Sequence, residues 1–129
     1  MDKLDTMTLE IIDTPLSVCK VKDYSKADLC EPFTFIGCTD HENSLVCPTN
    51  KVPENTLNRE DGWRAFRVAV SMEFSLVGIL YRISKVLAEA RIGIFAISTF
   101  DTDYILTKEQ DFEKATAALK RAGYKVLDS

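Results

Sequence analysis

The sequence lacks the features that define several common protein classes. It contains one histidine, His41, and no C-x-x-C pair among its four cysteines. No apolar run approaches the roughly 20 residues that a transmembrane helix needs, and residues 1–5 are too polar for a secretory signal. These absences predict a cytoplasmic chain without a membrane span, whose cysteines lie in apolar or strand-like settings typical of reduced, buried thiols.

Metal-ligand sets and basic surfaces are also scarce. The spacing of Cys19, Cys30, Cys38 and Cys47 around His41 matches no common zinc finger, so we expect no metal and no other cofactor. The formal net charge of −4 and the isoelectric point near 5.0 argue against nucleic-acid binding. The basic run at residues 120–125 falls at a predicted helix end, where cations are favourable, and we interpret it as a solvated face.

Catalytic constellations are missing as well. No serine or cysteine has a recognisable base partner, and His41 falls in a predicted hairpin turn. What is present is apolar content: 46% of the 129 residues are hydrophobic, enough for one compact domain or two very small ones. The sequence therefore predicts a globular protein that is not an enzyme.

The first half reads mostly as strands. Strands are expected over residues 8–12 and 16–21 around a turn at 13–15, and over 33–38 and 44–47 around a turn at 39–43, with a short helix at 24–29. A polar, turn-rich stretch follows at residues 52–62, with weak helical character after Pro53. We place a domain boundary there, giving units 1–61 and 62–129.

The second half has clearer periodicity. It predicts a strand at 63–70, a helix from Ser75 to about Arg91, strands at 92–100 and 104–106 around a turn at 101–103, a second helix, and a last strand at 124–127. Thr107 and Gln110 form a possible capping box for the second helix, and Gly123 is its C-terminal glycine. This βαββαβ order predicts a ferredoxin-like α+β sandwich with two helices on a four-stranded antiparallel sheet.

The start of the first helix is unusual. Ser75 is the candidate N-cap, but Gly78 stands where a capping box would place Glu or Gln. Glycine in a first helical turn costs about 1 kcal/mol relative to alanine. Either a ligand approaches the backbone here, since free N–H groups and the helix dipole favour a carboxylate, or Gly78 lets the helix pack tightly on a strand.

Two motifs carry a resemblance to a known family. The Phe-Ser-x-x-Gly-Ile-Leu stretch from Phe74 and the Ile-Ser-Thr-Phe-Asp-Thr-Asp-Tyr stretch from Ile97 resemble the ACT domain, a regulatory module that binds amino acids. The resemblance covers residues 62–125. Residues 1–61 match only in element order and strand pairing. The chain looks most like small stand-alone bacterial proteins with two tandem ACT-like units, related to the regulatory domains of aspartate kinases and to the animal cytosolic arginine sensor.

The resemblance implies a ligand site at an interface between ACT units. Carried over by position, the implied ligand-binding residues are Glu73, Phe74, Ser75, Leu76, Val77 and Gly78 on the helix side, and Ile97, Ser98, Thr99, Asp101, Thr102 and Asp103 on the strand side. Backbone amides at 76–78 would hold an α-carboxylate, while Ser98, Thr99 or Asp103 would receive an amino group or a cationic side chain. The alternative is that Asp101 and Asp103 only support a tight turn, where aspartate is common.

The function that follows is a non-catalytic amino-acid sensor. We expect a homodimer with ligand sites at ACT–ACT interfaces and an unidentified protein partner whose association changes on binding. A rival hypothesis is an ACT-like dimerisation or interaction module that binds no ligand. Enzymes and RNA-recognition domains share the element order, but the aromatic-basic strand motif of the latter is absent.

Overall fold

The computed structural model describes residues 7–69 and 78–128. These residues form an α+β fold, consistent with a ferredoxin-like arrangement, and none of their helices is long and apolar enough to cross a membrane. The strands are β1 (Thr8–Val21), β2 (Phe35–Cys38), β3 (Asn43–Pro48), β4 (Thr56–Ala69), β5 (Phe95–Ser98), β6 (Asp103–Lys108) and β7 (Lys125–Asp128). The helices are α1 (Ile79–Glu89) and α2 (Phe112–Arg121), with short 3-10 turns at Thr49–Lys51 and Glu109–Asp111.

The chain divides into two compact units. The middle unit is Thr14–Trp63, and the terminal unit combines the described residues up to Asp13 with those from Arg64 onwards. Strands β1 and β4 are 14 residues long, and each contributes one part to each unit. Residues 7–13 therefore group with the second half of the chain.

Two predicted interruptions are absent. β1 runs through Pro15 without the turn expected at 13–15, and β4 runs through most of the polar stretch 52–62. Pro15 lies outside the ladder of β1 with β7, which ends at Ile11, and outside its ladder with β3, which begins at Leu16, so its missing N–H interrupts neither of them. In β4, Gly62 has φ +85, a conformation that glycine adopts without strain.

The terminal unit differs from the predicted four-stranded antiparallel sheet. Its strands follow the order β7-β1-β4-β6-β5, so the start of β1 lies between β7 and β4. β7 pairs with β1 in parallel, with Leu9 opposite Val126. This pairing joins residues more than a hundred positions apart, a relationship that no local pattern in the sequence predicts.

Helices α1 and α2 supply much of the core of the terminal unit. Ile83, Leu87, Ala115 and Leu119 are fully buried, as the spacing of their helical stripes predicts. They join a cluster whose buried members are Met7, Leu9, Phe66, Val68, Ile79, Ile83, Leu87, Ile92, Ile105, Phe112, Ala115, Leu119 and Tyr124. The two helices predicted from periodicity are therefore confirmed as helices.

The helix starts differ from prediction. The N-cap of α1 is Gly78 rather than Ser75. The capping box predicted for α2 is wrong because Thr107 is a buried residue of β6, and its hydroxyl donates to the Lys108 carbonyl over 3.3 Å. α2 instead begins at Phe112, directly after the 3-10 turn.

Each helix is followed by a residue with a positive φ, which allows the next amide to bond back to the last turn. Gly123 has φ +101, and the amide of Tyr124 donates to the Leu119 carbonyl over 3.1 Å, which confirms the predicted C-terminal glycine. α1 ends in the same way, with Arg91 at φ +62 and the amide of Ile92 donating to Leu87 over 2.9 Å.

The middle unit contains the predicted β2–β3 hairpin but no α-helix among its residues, all of which are described. The helix expected at 24–29 is wrong: residues 22–34 form turns and bends. The carboxylates of Asp23 and Asp28 accept the amides of Ser25 and Cys30 over 3.0 and 3.1 Å. These local aspartate turns compete with helical hydrogen bonds. The helical character expected after Pro53 is also absent, and the 3-10 turn lies before it.

Candidate functional site

The turn between β5 and β6 is held by its own threonines. The backbone amide of Thr99 donates to the Thr102 carbonyl over 2.8 Å, and the Thr99 hydroxyl donates to the same oxygen over 3.0 Å. Phe100 and Asp101 at the tip are exposed, Phe100 completely so. The Thr99 hydroxyl proton is therefore committed to the turn, while its oxygen can still accept a hydrogen bond.

Thr102 ties this turn to the end of β4. Its hydroxyl donates to the backbone carbonyl of Val68, the penultimate residue of β4. The chain continues from there into residues 70–77. The implied ligand residues Glu73, Phe74, Ser75, Leu76 and Val77 lie outside the described residues.

Gly78 has a conformational role. Its φ is +83, and a Cβ placed on it would meet no atom within 4 Å. The explanation by tight helix–strand packing therefore lacks support among the described residues, and the close approach of a ligand stays a prediction. What requires glycine is the left-handed backbone at the N-cap, which β-carbon-bearing residues adopt only with strain.

Asp103 is the most unusual of the implied ligand residues. Only 8% of its surface is exposed, and it begins β6 opposite Ser98, which is exposed. Among residues 7–69 and 78–128, no lysine, arginine or histidine forms an ion pair with it. Buried carboxylates are normally paired because their desolvation is costly. The structure thus gathers Ser98, Thr99, Thr102 and Asp103 at one end of the hairpin, with Ile97 half-buried beside them.

The β2–β3 hairpin repeats this geometry with different chemistry. Cys38 pairs with Asn43 as Ser98 pairs with Asp103, and every partner in one ladder lies sixty positions from its counterpart. Thr39 and Glu42 make the same turn bonds as Thr99 and Thr102.

In the middle unit, however, the residue that corresponds to Asp103 has an internal partner. The side-chain amide of Asn43 donates to the backbone carbonyl of Lys22 over 2.9 Å. The Tyr24 hydroxyl donates to the Ser44 carbonyl over 2.8 Å, which brings the 22–34 loop onto this hairpin. Asn43 therefore has an internal hydrogen-bond partner at the position that Asp103 occupies in the other hairpin.

A cavity of about 640 Å³ in the terminal unit was not predicted. It lies along the start of α2, and Arg64 contributes a guanidinium to its lining. Nη1 of Arg64 is 3.5 Å from Glu109 and Nη2 is 3.8 Å from Asp13. The guanidinium carbon lies 4.5 Å from the centre of the Phe112 ring. The sequence feature that could have indicated this site is Arg64 in the predicted strand 63–70, where Arg67 is the only other charged residue.

The cysteines fall into two pairs by exposure. Cys19 and Cys47 are buried, whereas Cys30 and Cys38 are exposed, so the expectation of four buried thiols is wrong for two of them. Burial raises the pKa of the Cys47 thiol to about 11 and also raises that of Cys19. Within the described residues, no group of three His, Cys, Asp or Glu side chains is placed to hold a metal ion.

Polar groups of the middle unit stabilise its own structure. The buried Ser17 hydroxyl donates to Asp61 over 2.6 Å and lies 2.9 Å from the Thr49 hydroxyl. The hydrogen bond from Arg59 and then that from Ser17 lower the pKa of the Asp61 carboxyl. This network links β1, the 3-10 turn and β4.

Comparison with known proteins points to one family. Residues 58–121 match the family model of the ACT domain. No curated protein sequence matches the chain. A crystal structure of a protein from Agobacterium tumefaciens is similar over 96% of this chain and 94% of its own length, with 29% identity and a TM-score of 0.85.

Aspartate kinase structures share the fold. The aspartate kinase of Synechocystis is 14% identical over 98% of this chain and 28% of its own, with a TM-score of 0.68. A putative C-terminal regulatory domain of aspartate kinase from Porphyromonas gingivalis is 15% identical over 90% of this chain and 94% of its own, with a TM-score of 0.57. The chain thus shares its fold with an aspartate kinase and with a putative regulatory domain of another.

Proposed function

We propose that this chain is a non-catalytic regulatory protein of the cytoplasm that binds a free amino acid at interfaces between ACT units of a homodimer. ACT domains are typically regulatory modules that bind amino acids, and residues 58–121 match that family. In this proposal the chain contains two ACT-like units, and ligand binding changes its association with a protein partner. Kinship with the animal arginine sensor stays a prediction.

The single observation that carries the proposal is the burial of the residue Asp103. It is 8% exposed, it has no ion pair within the described part of the chain, and it lies beside the exposed Ser98. A cationic ligand group at this place would supply the missing charge through a charge-assisted hydrogen bond. The Thr99 oxygen can accept a further bond from the same group.

The contrast with the other hairpin supports one site rather than two per chain. Asn43 and Tyr24 already bond to backbone carbonyls of the middle unit. Asp103 has no proton to donate when ionised, so it cannot form the equivalent of the Asn43 bond. We therefore assign ligand binding to the hairpin of the terminal unit.

The proposal is tested by measuring the melting temperature of the purified protein with each of the twenty common amino acids, followed by calorimetry on those that stabilise it. We expect at least one to bind with one site per chain, and Asp103→Asn to weaken it at least tenfold. Asp40→Asn is the matched control, because Asp40 is an exposed aspartate of the other hairpin turn. No stabilisation by any amino acid, with the fold intact, would refute the proposal.

The rival function is a ligand-free dimerisation or interaction module. It is favoured by the bonds that commit the Thr99 and Thr102 hydroxyl protons to the turn and to Val68. Under this hypothesis light scattering would show a dimer whose stability no amino acid changes and which tolerates Asp103→Asn. A ligand-dependent shift that Asp103→Asn abolishes would exclude it.

A further inference from the structure

The cavity beside α2 is open to solvent and has the volume of a small-molecule site. Its volume of about 640 Å³ falls within the range of small-molecule pockets. The described residues that line it all belong to the terminal unit. Apolar walls come from Ile11, Phe112 and Ala117, and the remaining lining is mostly charged.

The charge of the lining selects the class of ligand. Among the described residues of the lining, four carboxylates, those of Asp13, Glu109, Glu113 and Asp128, face two cations, Arg64 and Lys120, which gives these residues a formal net charge of −2. Such a lining repels phosphates and dicarboxylates and attracts molecules with a surplus positive charge. Nucleotides are therefore disfavoured.

Arg64 favours a ligand that carries a hydrogen-bond acceptor. Its side chain is only 19% exposed, and its contacts with Glu109 and Asp13, at 3.5 and 3.8 Å, are longer than a good charge-assisted bond of about 2.8 Å. Both partners are largely exposed, Asp13 at 72% and Glu109 at 61%, and so are screened by water. The guanidinium carbon lies over the Phe112 ring, and within the described residues Nε of Arg64 has no hydrogen-bond partner, so this side chain keeps a donor unmatched.

We propose that this cavity is a second ligand site, which takes a small organic molecule with one carboxylate and a surplus of positive charge, the chemistry of a dibasic amino acid. The carboxylate of the ligand pairs with Arg64, displacing the long contacts of its two acidic neighbours. The cationic end lies among the acidic side chains of α2 and β7, Glu113 and Asp128. This site contains none of the residues of the Asp103 hairpin and does not depend on the function proposed for it.

The first test compares three probes of nearly equal length by calorimetry at low salt. L-Lysine carries both groups, cadaverine lacks the carboxylate, and L-norleucine lacks the side-chain ammonium. We expect lysine to bind at least tenfold more tightly than either analogue, and its affinity to fall as NaCl rises. Absence of lysine binding, or equal affinity for cadaverine, overturns the proposal.

The second test locates the site with variants. Arg64→Met should weaken lysine binding at least tenfold without weakening cadaverine, which the more negative lining binds equally well or more tightly, and Glu113→Gln with Asp128→Asn should weaken both. Arg64→Lys keeps the positive charge but lacks the planar guanidinium, and we expect it to bind lysine with intermediate affinity. It is also the more conservative variant, and it tests the site even where Arg64→Met does not fold. Lys114→Met is the control, because Lys114 is an exposed residue of α2 outside the cavity. An effect of Lys114→Met equal to that of Arg64→Met contradicts the assignment.

A final comparison separates this site from the Asp103 site. Asp103→Asn should leave lysine binding to the cavity unchanged. If lysine binding responds only to Asp103→Asn and not to Arg64→Met, the cavity proposal fails and the Asp103 proposal gains support. If it responds only to Arg64→Met, the reverse holds.

Discussion

Arg64 lies with its guanidinium carbon 4.5 Å from the centre of the Phe112 ring. The ring of Phe66 is also stacked on the Phe112 ring, with centres 4.6 Å apart and planes 16° from parallel. β4 supplies Arg64 and Phe66, and α2 supplies Phe112. A single aromatic ring therefore links the buried core to the charged cavity.

Replacing this ring should cost measurable stability. Phe112→Leu removes the stacking on Phe66 and the cation–π contact with Arg64, and we expect the free energy of unfolding to fall by about 2 kcal/mol. Urea denaturation measures the change. Phe100→Leu is the control, since Phe100 is fully exposed and its loss should change stability by less than about 0.5 kcal/mol. Equal losses for the two variants would contradict the role assigned to Phe112.

Substitutions at Gly78 and Gly93 distinguish the effect of backbone strain from that of steric contact. A Cβ meets nothing within 4 Å at either glycine, but only Gly78 has a positive φ. Gly78→Ala should therefore destabilise the protein by about 1–2 kcal/mol, whereas Gly93→Ala should be neutral or slightly stabilising. Thermal unfolding of the two variants distinguishes these outcomes, and a neutral Gly78→Ala would show that the left-handed N-cap is not required.

The hydroxyl of Thr102 should matter more than that of Thr99. Thr102→Val removes the hydrogen bond from this turn to the Val68 carbonyl and should lower the free energy of unfolding by about 1 kcal/mol. Thr99→Val should cost less, because the Thr99 amide still donates to the same carbonyl over 2.8 Å. Chemical denaturation of both variants tests the order, and the reverse order would show that the tie to β4 contributes little.

Cys47 should make stability fall in alkaline solution. Burial raises the pKa of its thiol from 9.0 to about 11, so the folded state keeps a proton that the unfolded state loses. The corresponding stabilisation is complete below pH 9 and is lost as the pH rises towards 11, by about 2 kcal/mol. Denaturation across this range should show a shallower decline for Cys47→Ala than for the wild type. Cys30→Ala, at an exposed cysteine, should decline like the wild type.

The match between prediction and structure depends on how local each feature is. The β5–β6 hairpin and the buried faces of α1 and α2 follow from alternation and helical periodicity, and both were predicted. The absent helix at 24–29 shows where periodicity misleads, because Asp23 and Asp28 bond to nearby amides instead. The candidate ligand residues on the hairpin came from a family resemblance, and the structure adds that Asp103 is buried.

The sequence by itself determined the fold class, the main hairpins and the helical faces, because each depends on residues within a few positions of one another. Tertiary structure alone decided three features: the parallel pairing of β7 with β1, the continuous course of the two long strands, and the cavity around Arg64. Each joins distant parts of the chain, as when Arg64 meets Asp13, Glu109 and Phe112. Contacts of this kind arise from packing between elements, and no short stretch of the sequence contains both of the residues that meet.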